Sequence, residues 1–165
     1  MKFTIPGEPV GKERPRGGKG NFYTPERTSA YERLVRHCYR AAAGDYFGSM
    51  PIRIEITAYY RIPESESKVK REKMERGTLL PTKRPDFDNV AKIVCDALND
   101  LAYRDDAQIV EVHFYKRYSK EPRVEVDINT VEDDCGSCIF SPPSSIDGKP
   151  CSYCDTSTSY YQRKE

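Results

Sequence analysis

Apolar and polar residues alternate from Ile52 through Ile54, Ile56 and Ala58 to Tyr60, with Arg53, Glu55 and Thr57 between them, which predicts a half-buried strand. Residues 2–5 alternate in the same way and stop at Pro6-Gly7. From Thr28 to Ala43 the period changes, because Tyr31, Leu34, Val35, Cys38 and Tyr39 fall on one helical face. The clearest helix follows Pro85. Val90, Ile93, Val94, Ala97, Leu98 and Leu101 form its core-facing stripe, and Asp88, Lys92, Asp96 and Asn99 lie on the other face. Gln108 to Arg117 and Pro122 to Ile128 read as two further strands, with Tyr118-Ser119-Lys120-Glu121 expected as their hairpin turn.

Between these elements lie a glycine- and proline-rich stretch over residues 7–26, expected to lack regular structure, and a charged excursion from Pro63 to Thr82, a loop or partly helical. The order β-α-β-α-β-β predicts an α+β fold with one mixed sheet and helices packed on it. Beyond Asn129 the composition turns to Ser, Pro, Cys and Tyr. A domain boundary is expected there, giving a main domain over residues 1–129 and a tail over 130–165.

Charge divides along the same line. Lys and Arg outnumber Asp and Glu by 24 to 20 in residues 1–128, whereas residues 129–165 carry 3 against 6. The N-terminus has no apolar core like that of a signal peptide, and no apolar run reaches the length of a membrane span, so a cytoplasmic protein without a membrane partner is expected.

The chemistry concentrates between Arg84 and Asp106, where six aspartates occupy 23 positions. One account is structural: Asp86 caps a helix, Asp88 sits in the first turn and pairs with Lys92, and Asp105-Asp106 marks a turn. The other is a metal site. Capping needs one carboxylate, yet two flank Phe87, and the helix and following strand are expected to bring three or four acids to one end of the sheet. Oxygen-ligated Mg²⁺ suits such a set, and it lowers the pKa of a bound water and neutralises charge developing on a phosphate. Lys92 is then placed to stabilise that phosphate or the attacking water. An aspartyl-phosphate phosphatase is excluded, because Leu80 to Pro85 is not the buried apolar strand such an enzyme places before its acids.

Arg84-Pro85-Asp86-Phe87-Asp88-Asn89-Val90-Ala91-Lys92, then Asp96-Ala97-Leu98-Asn99, then Asp105-Asp106-Ala107-Gln108-Ile109 resembles the RusA family of Holliday junction resolvases, the crossover junction endodeoxyribonucleases. Gly7 to Arg16 and Tyr23-Thr24-Pro25 resemble the opening of that family, and the likeness spans about residues 2–128. The resemblance implies a homodimer that cuts four-way DNA junctions symmetrically with Mg²⁺ or Mn²⁺, in recombination and repair. Asp86, Asp88 and Asp106 match the family's catalytic carboxylates, Lys92 its lysine, and Asp105 the first acid of the pair. Two other classes remain open: a non-catalytic branched-DNA-binding protein, and a broader flap or fork nuclease.

Junction recognition by shape needs cations near phosphates. Lys12, Arg14, Arg16 and Lys19 are the first candidates for DNA binding, in the glycine-rich loop. Lys70, Arg71 and Lys73, with Lys68 and Arg76, form a second patch diluted by Glu64, Glu66, Glu72 and Glu75. Phe22 and Tyr23 either stack on an unpaired base or pack on the core. In the tail, Cys135-Gly136-Ser137-Cys138 and Cys151-Ser152-Tyr153-Cys154 have the spacing of a four-cysteine zinc knuckle. Four thiolates around Zn²⁺ would leave this acidic tail still more negative, which points to a structural cap or a protein-docking module.

Overall fold

The computed structural model describes residues 1–18 and 21–131. In chain order the elements are β1 (Lys2–Pro6), β2 (Arg16–Gly18), β3 (Asn21–Tyr23), α1 (Glu26–Ala41), β4 (Ile52–Arg61), α2 (Lys68–Glu75), α3 (Phe87–Leu98), a 3-10 turn (Asp106–Gln108), β5 (Ile109–Ser119) and β6 (Arg123–Thr130). The fold is α+β, with a mixed four-stranded sheet ordered β1-β6-β4-β5.

β4 is central because its alternating side chains are the most completely buried. Ile52, Ile54, Ile56 and Ala58 are fully enclosed, and the strand pairs antiparallel with β6 on one side and parallel with β5 on the other. The expected hairpin between β5 and β6 is therefore a correction: β4 lies between them. Residues 120–122 cross two strand spacings, roughly 10 Å, at the end of β4, which three or four residues can reach. Ile62 N donates to Ser119 O there at 3.2 Å, closing the end of β4 against the crossing chain. β1 completes the sheet by pairing with β6, Lys2 opposite Asp127 through Pro6 opposite Arg123.

Helices α1 and α3 cover one sheet face. Tyr31, Val35 and Tyr39 of α1 and Val90, Ile93, Val94, Ala97 and Leu98 of α3 interlock with Phe3, Ile5, Val124, Val126 and Ile128. Burying a side chain of this size contributes about 1.5–3 kcal/mol, so the helical stripes fix the layer. The stretch over residues 7–26 is a second correction, because it contains the β2–β3 hairpin, Arg16 opposite Tyr23. Glycines at 17 and 18 leave little for a hydrophobic pattern to register. α1 also begins two residues earlier than its periodicity suggests, on Pro25, whose fixed φ suits a helix start. In the charged excursion, α2 is capped by Ser67, whose hydroxyl accepts from Lys70 N. It docks through buried Met74 and ends at Gly77, where φ is +72°.

Candidate active site

The start of α3 presents two carboxylates to solvent. Asp86 occupies the N-cap with extended backbone, and its carbonyl accepts from Val90 N at 3.2 Å, but its side chain makes no capping hydrogen bond. Its carboxylate is thus available to a ligand. Asp88 is exposed, with only a long 3.5 Å contact from the Asn89 amide. The expected Asp88–Lys92 ion pair is not formed. Lys92 is exposed and makes no hydrogen bond or ion pair among the described residues.

Tyr60 lies within electrostatic reach of Asp86. Its hydroxyl is buried and without a hydrogen-bond partner among the described residues. Burial, then the charges of Glu8 and Asp86, push this phenol up to about 12. Lys116 Nζ sits 5.3 Å from the centre of the Tyr60 ring and donates to the carbonyls of Lys83 (2.7 Å) and Pro85 (2.8 Å), tying the approach to α3 onto β5. Phe87, exposed between the two aspartates, leans on Phe114 of β5 with ring centres 6.0 Å apart.

Asp106 is elsewhere. Its carboxyl stands against Asp96, in the last turns of α3, and burial followed by that neighbour raises its pKa above the ordinary value. Asp96 lies eight residues beyond Asp88, about 12 Å along the helix axis. One chain therefore holds Asp86 and Asp88 at one end of α3 and Asp96 and Asp106 at the other, rather than bringing all the acids to one end of the sheet. Asp105 is committed to structure: Oδ1 accepts from Ala107 N at 2.8 Å while Gln108 Oε1 accepts from Asp105 N at 3.0 Å, a reciprocal capping box.

Lys12 joins the two ends. Its backbone N donates to Asn89 O at 2.9 Å, and its ammonium pairs with Asp96 and, at 3.0 Å, with Glu32 of α1. Burial pulls the Lys12 pKa down, but the hydrogen bonds to Asp96 and Glu32 outweigh it and the net shift is upward. The expectation that Lys12 reaches out to a phosphate is therefore not met in this chain, since its charge is spent inside, holding Asp96. Glu13 N donates to the buried Thr28 hydroxyl at 3.3 Å, so residues 11–13 form a strap across both helices. Gly11 is required in that strap. A Cβ there would stand 2.9 Å from Pro85 Cβ and 3.2 Å from Asn89 Cβ.

The other expected DNA contacts are scattered. Arg14 is exposed in the loop after the strap, and Arg16 opens β2. Lys19 and Cys135, Cys138, Cys151 and Cys154 lie outside the described residues. On α2, Lys70 pairs with Glu66 at 3.0 Å, and exposed Arg71 and Lys73 share that helix with Glu72 and Glu75. Phe22 and Tyr23 are exposed on the short hairpin, not packed on the core. Sequence reasoning passed over Arg27 and gave Arg84 no role. Both line a cleft of about 610 Å³ beside Asp86, floored by Gly11 and Asn89. No periodicity or motif marks Arg27, because its importance comes from where the start of α1 meets the start of α3.

Among the described residues, no group of three or more His, Cys, Asp or Glu side chains is placed to hold one metal ion, and no helix is long and apolar enough to cross a membrane. The donor chemistry at the start of α3 nonetheless fits a hard divalent cation: an uncapped carboxylate, a second exposed one, and an orphaned phenol oxygen nearby.

Comparison with known proteins accords with this geometry. The chain is 41% identical over 137 residues to the uncharacterised protein YqaN of Bacillus subtilis (strain 168), an alignment covering 79% of this chain and 96% of that protein. It is 27% identical over 115 residues to the crossover junction endodeoxyribonuclease rusA of Lactococcus phage r1t, covering 69% of this chain and 81% of the phage protein. Residues 6–129, from the end of β1 to the end of β6 and including every acid described above, match the endodeoxyribonuclease RusA family, and the chain belongs to it.

Proposed function

We propose that this chain is a Mg²⁺- or Mn²⁺-dependent endodeoxyribonuclease that resolves four-way DNA junctions in recombination and repair, as a homodimer inside the cell. The observation that carries the reading is the free Asp86 carboxylate within electrostatic reach of the orphaned Tyr60 hydroxyl, beside exposed Asp88. A helix cap alone explains neither group. Asp86 and Asp88 of one chain, with Asp106 supplied by the other chain of the dimer, would hold the cation, which when bound neutralises phosphate charge and acidifies a water. Asp105 contributes through the turn it caps. Lys92, unpaired and one turn beyond Asp88, attracts the phosphate, and Lys12 holds Asp96 and thereby positions Asp106.

The separation of the acids supports a dimer. β5 is an edge strand with Val110 and Val112 exposed at 61% and 52%. An open edge of this kind invites pairing with a second chain. It is self-complementary when antiparallel, since Glu111 near its start meets Lys116 and Arg117 near its end. That register would put the two-fold axis near Phe114 and turn the start of one β5, with Asp106 just before it, towards the end of the partner's β5, where Lys116 is bonded in each chain to Pro85 O beside Asp86. A symmetric dimer would also match the two-fold symmetry of its substrate.

Residues 130–165 form, in this reading, a separate tail whose Cys135, Cys138, Cys151 and Cys154 bind zinc and serve a protein partner. The cysteine spacing and acidic balance support it. The test of the main proposal compares a synthetic four-way junction with a linear duplex, each with Mg²⁺ and with EDTA. Paired nicks in the junction alone, lost in EDTA, are expected. Tight junction binding without nicks would make the protein a binder, and equal cutting of flaps and forks would make it a broader nuclease.

A further inference from the structure

The cleft beside Asp86 carries two arginines that the acids do not explain. Arg27 enters from the first turn of α1 and Arg84 from the segment leading into α3, and both are exposed. Neither makes a hydrogen bond or ion pair among the described residues. The contrast with the cleft beside α2 is informative. That space, about 540 Å³, is also lined by cations, but Arg61 pairs with Glu8 at 3.3 Å and Lys120 with Glu75 at 3.2 Å. Its other cations, Lys68 and Arg71, share the lining with Glu64 and Glu72.

In the Asp86 cleft the third cation, Lys12, is already neutralised by Asp96 and Glu32, so Arg27 and Arg84 are left for something outside the chain. The floor beneath them is rigid. The residue 11–13 strap is bonded to Asn89 O on α3 and to the Thr28 hydroxyl on α1, and Gly11 packs against Pro85 and Asn89 with no room for a side chain. Two planar guanidinium groups on a fixed floor suit an anion with several oxygens, which they can grip in a bidentate manner.

We propose that Arg27 and Arg84 bind a backbone phosphate of the DNA strand next to the one that Asp86 and Asp88 address. This deepens the nuclease reading and rests on it. The site sets where along the strand the cut falls by seating the neighbouring nucleotide, and it reads backbone rather than base.

Full-length Arg27→Ala, Arg84→Ala and the double variant are compared with Arg40→Ala, a charge-matched control at the far end of α1. Each carries Asp88→Asn so that the junction stays intact during binding. Fluorescence anisotropy is measured over a salt series. Both arginines hold one phosphate, so the double variant loses one phosphate contact and lowers the log–log salt slope by about 0.9, which is about fivefold in Kd near 0.15 M salt, and each single variant loses less. In the active background, KM for the junction should rise and the nick position should spread to neighbouring phosphates, while Arg40→Ala changes neither. If the double variant keeps the slope and nick position of the Arg40→Ala control although the parent binds and cuts junctions, the cleft proposal fails and the nuclease reading stands. If the parent neither binds nor cuts any DNA, both fail together.

Discussion

Replacing Gly11 with alanine reverses the usual effect of this substitution. At a glycine with ordinary backbone angles, alanine stabilises a protein by about 0.4–1 kcal/mol, because it restricts the unfolded chain. The Gly11 backbone is not among the positive-φ glycines, so no conformational strain opposes the change. Sterics do. The new methyl would stand 2.9 Å from Pro85 Cβ and 3.2 Å from Asn89 Cβ, whereas carbon contacts settle at about 3.5–4.0 Å. Pro85 is held from behind by Lys116, which grips its carbonyl at 2.8 Å, so the strap must lift by roughly half an ångström. That lengthens the 2.9 Å bond from Lys12 N to Asn89 O and loosens the hold of Lys12 on Asp96. Overpacking costs about 1–3 kcal/mol and a weakened hydrogen bond about 1 more. Less the unfolded-state gain, the net loss is about 2 kcal/mol. With an unfolding entropy of about 2.1 cal/mol/K per residue over roughly 130 residues, Tm falls by about 7 °C. Differential scanning calorimetry measures it directly. An unchanged or raised Tm would show that the strap is not packed on α3 as described, and the positioning of Asp96 through Lys12 would lose its basis.

Asp106→Asn removes a charge held against Asp96, so Tm measured in EDTA should be unchanged or slightly raised, while cleavage measured with Mg²⁺ is lost; a Tm drop of several degrees would mean that Asp106 is a structural acid. Asp105→Ala should do the opposite, costing about 1 kcal/mol of stability through the lost cap, with the chemical step less affected than in Asp106→Asn when both are compared in single-turnover cleavage. Val112→Lys on the open edge of β5 should shift sedimentation from dimer to monomer, and an intact dimer would move the interface elsewhere. Purified full-length protein should contain one zinc per chain by elemental analysis, lost in Cys151→Ser, and a chain ending after Val131 should still cut junctions. A zinc-free wild type, or a folded truncated chain that cannot cut, would refute the assignment of the tail.

The strands and helices were legible wherever burial imposes a period. Ile52 to Tyr60 and Val90 to Leu101 announce their elements because one face of each must leave water. The strand order was not legible, since the same alternation in β5 and β6 suits a hairpin as well as two strands flanking β4. What decides is the burial of β4 on both edges, a property of the whole sheet. The acids Asp86, Asp88 and Asp106 stood out by their density, yet their separation along α3 depends on how the 3-10 turn docks, and spacing along the chain does not encode that. Lys12 read as a loop cation because its partners, Glu32 and Asp96, are 20 and 84 residues away. Arg27 gave no signal at all.

The place of β6 between β1 and β4 has a consequence for how the molecule is assembled. β1 is made first, but its partner is not present until more than a hundred residues later. Until β6 arrives, β1 has no hydrogen-bonded neighbour and the antiparallel edge of β4 stays open. α1 and α3 can form earlier, yet the sheet beneath them is unfinished. Such distant pairing makes for slow acquisition of structure, because the entropy of closing the whole chain is lost before the final contacts reward it. Unfolding should run the same way in reverse: once β6 detaches, β1 is released with it, and amide exchange in these two strands should rise together.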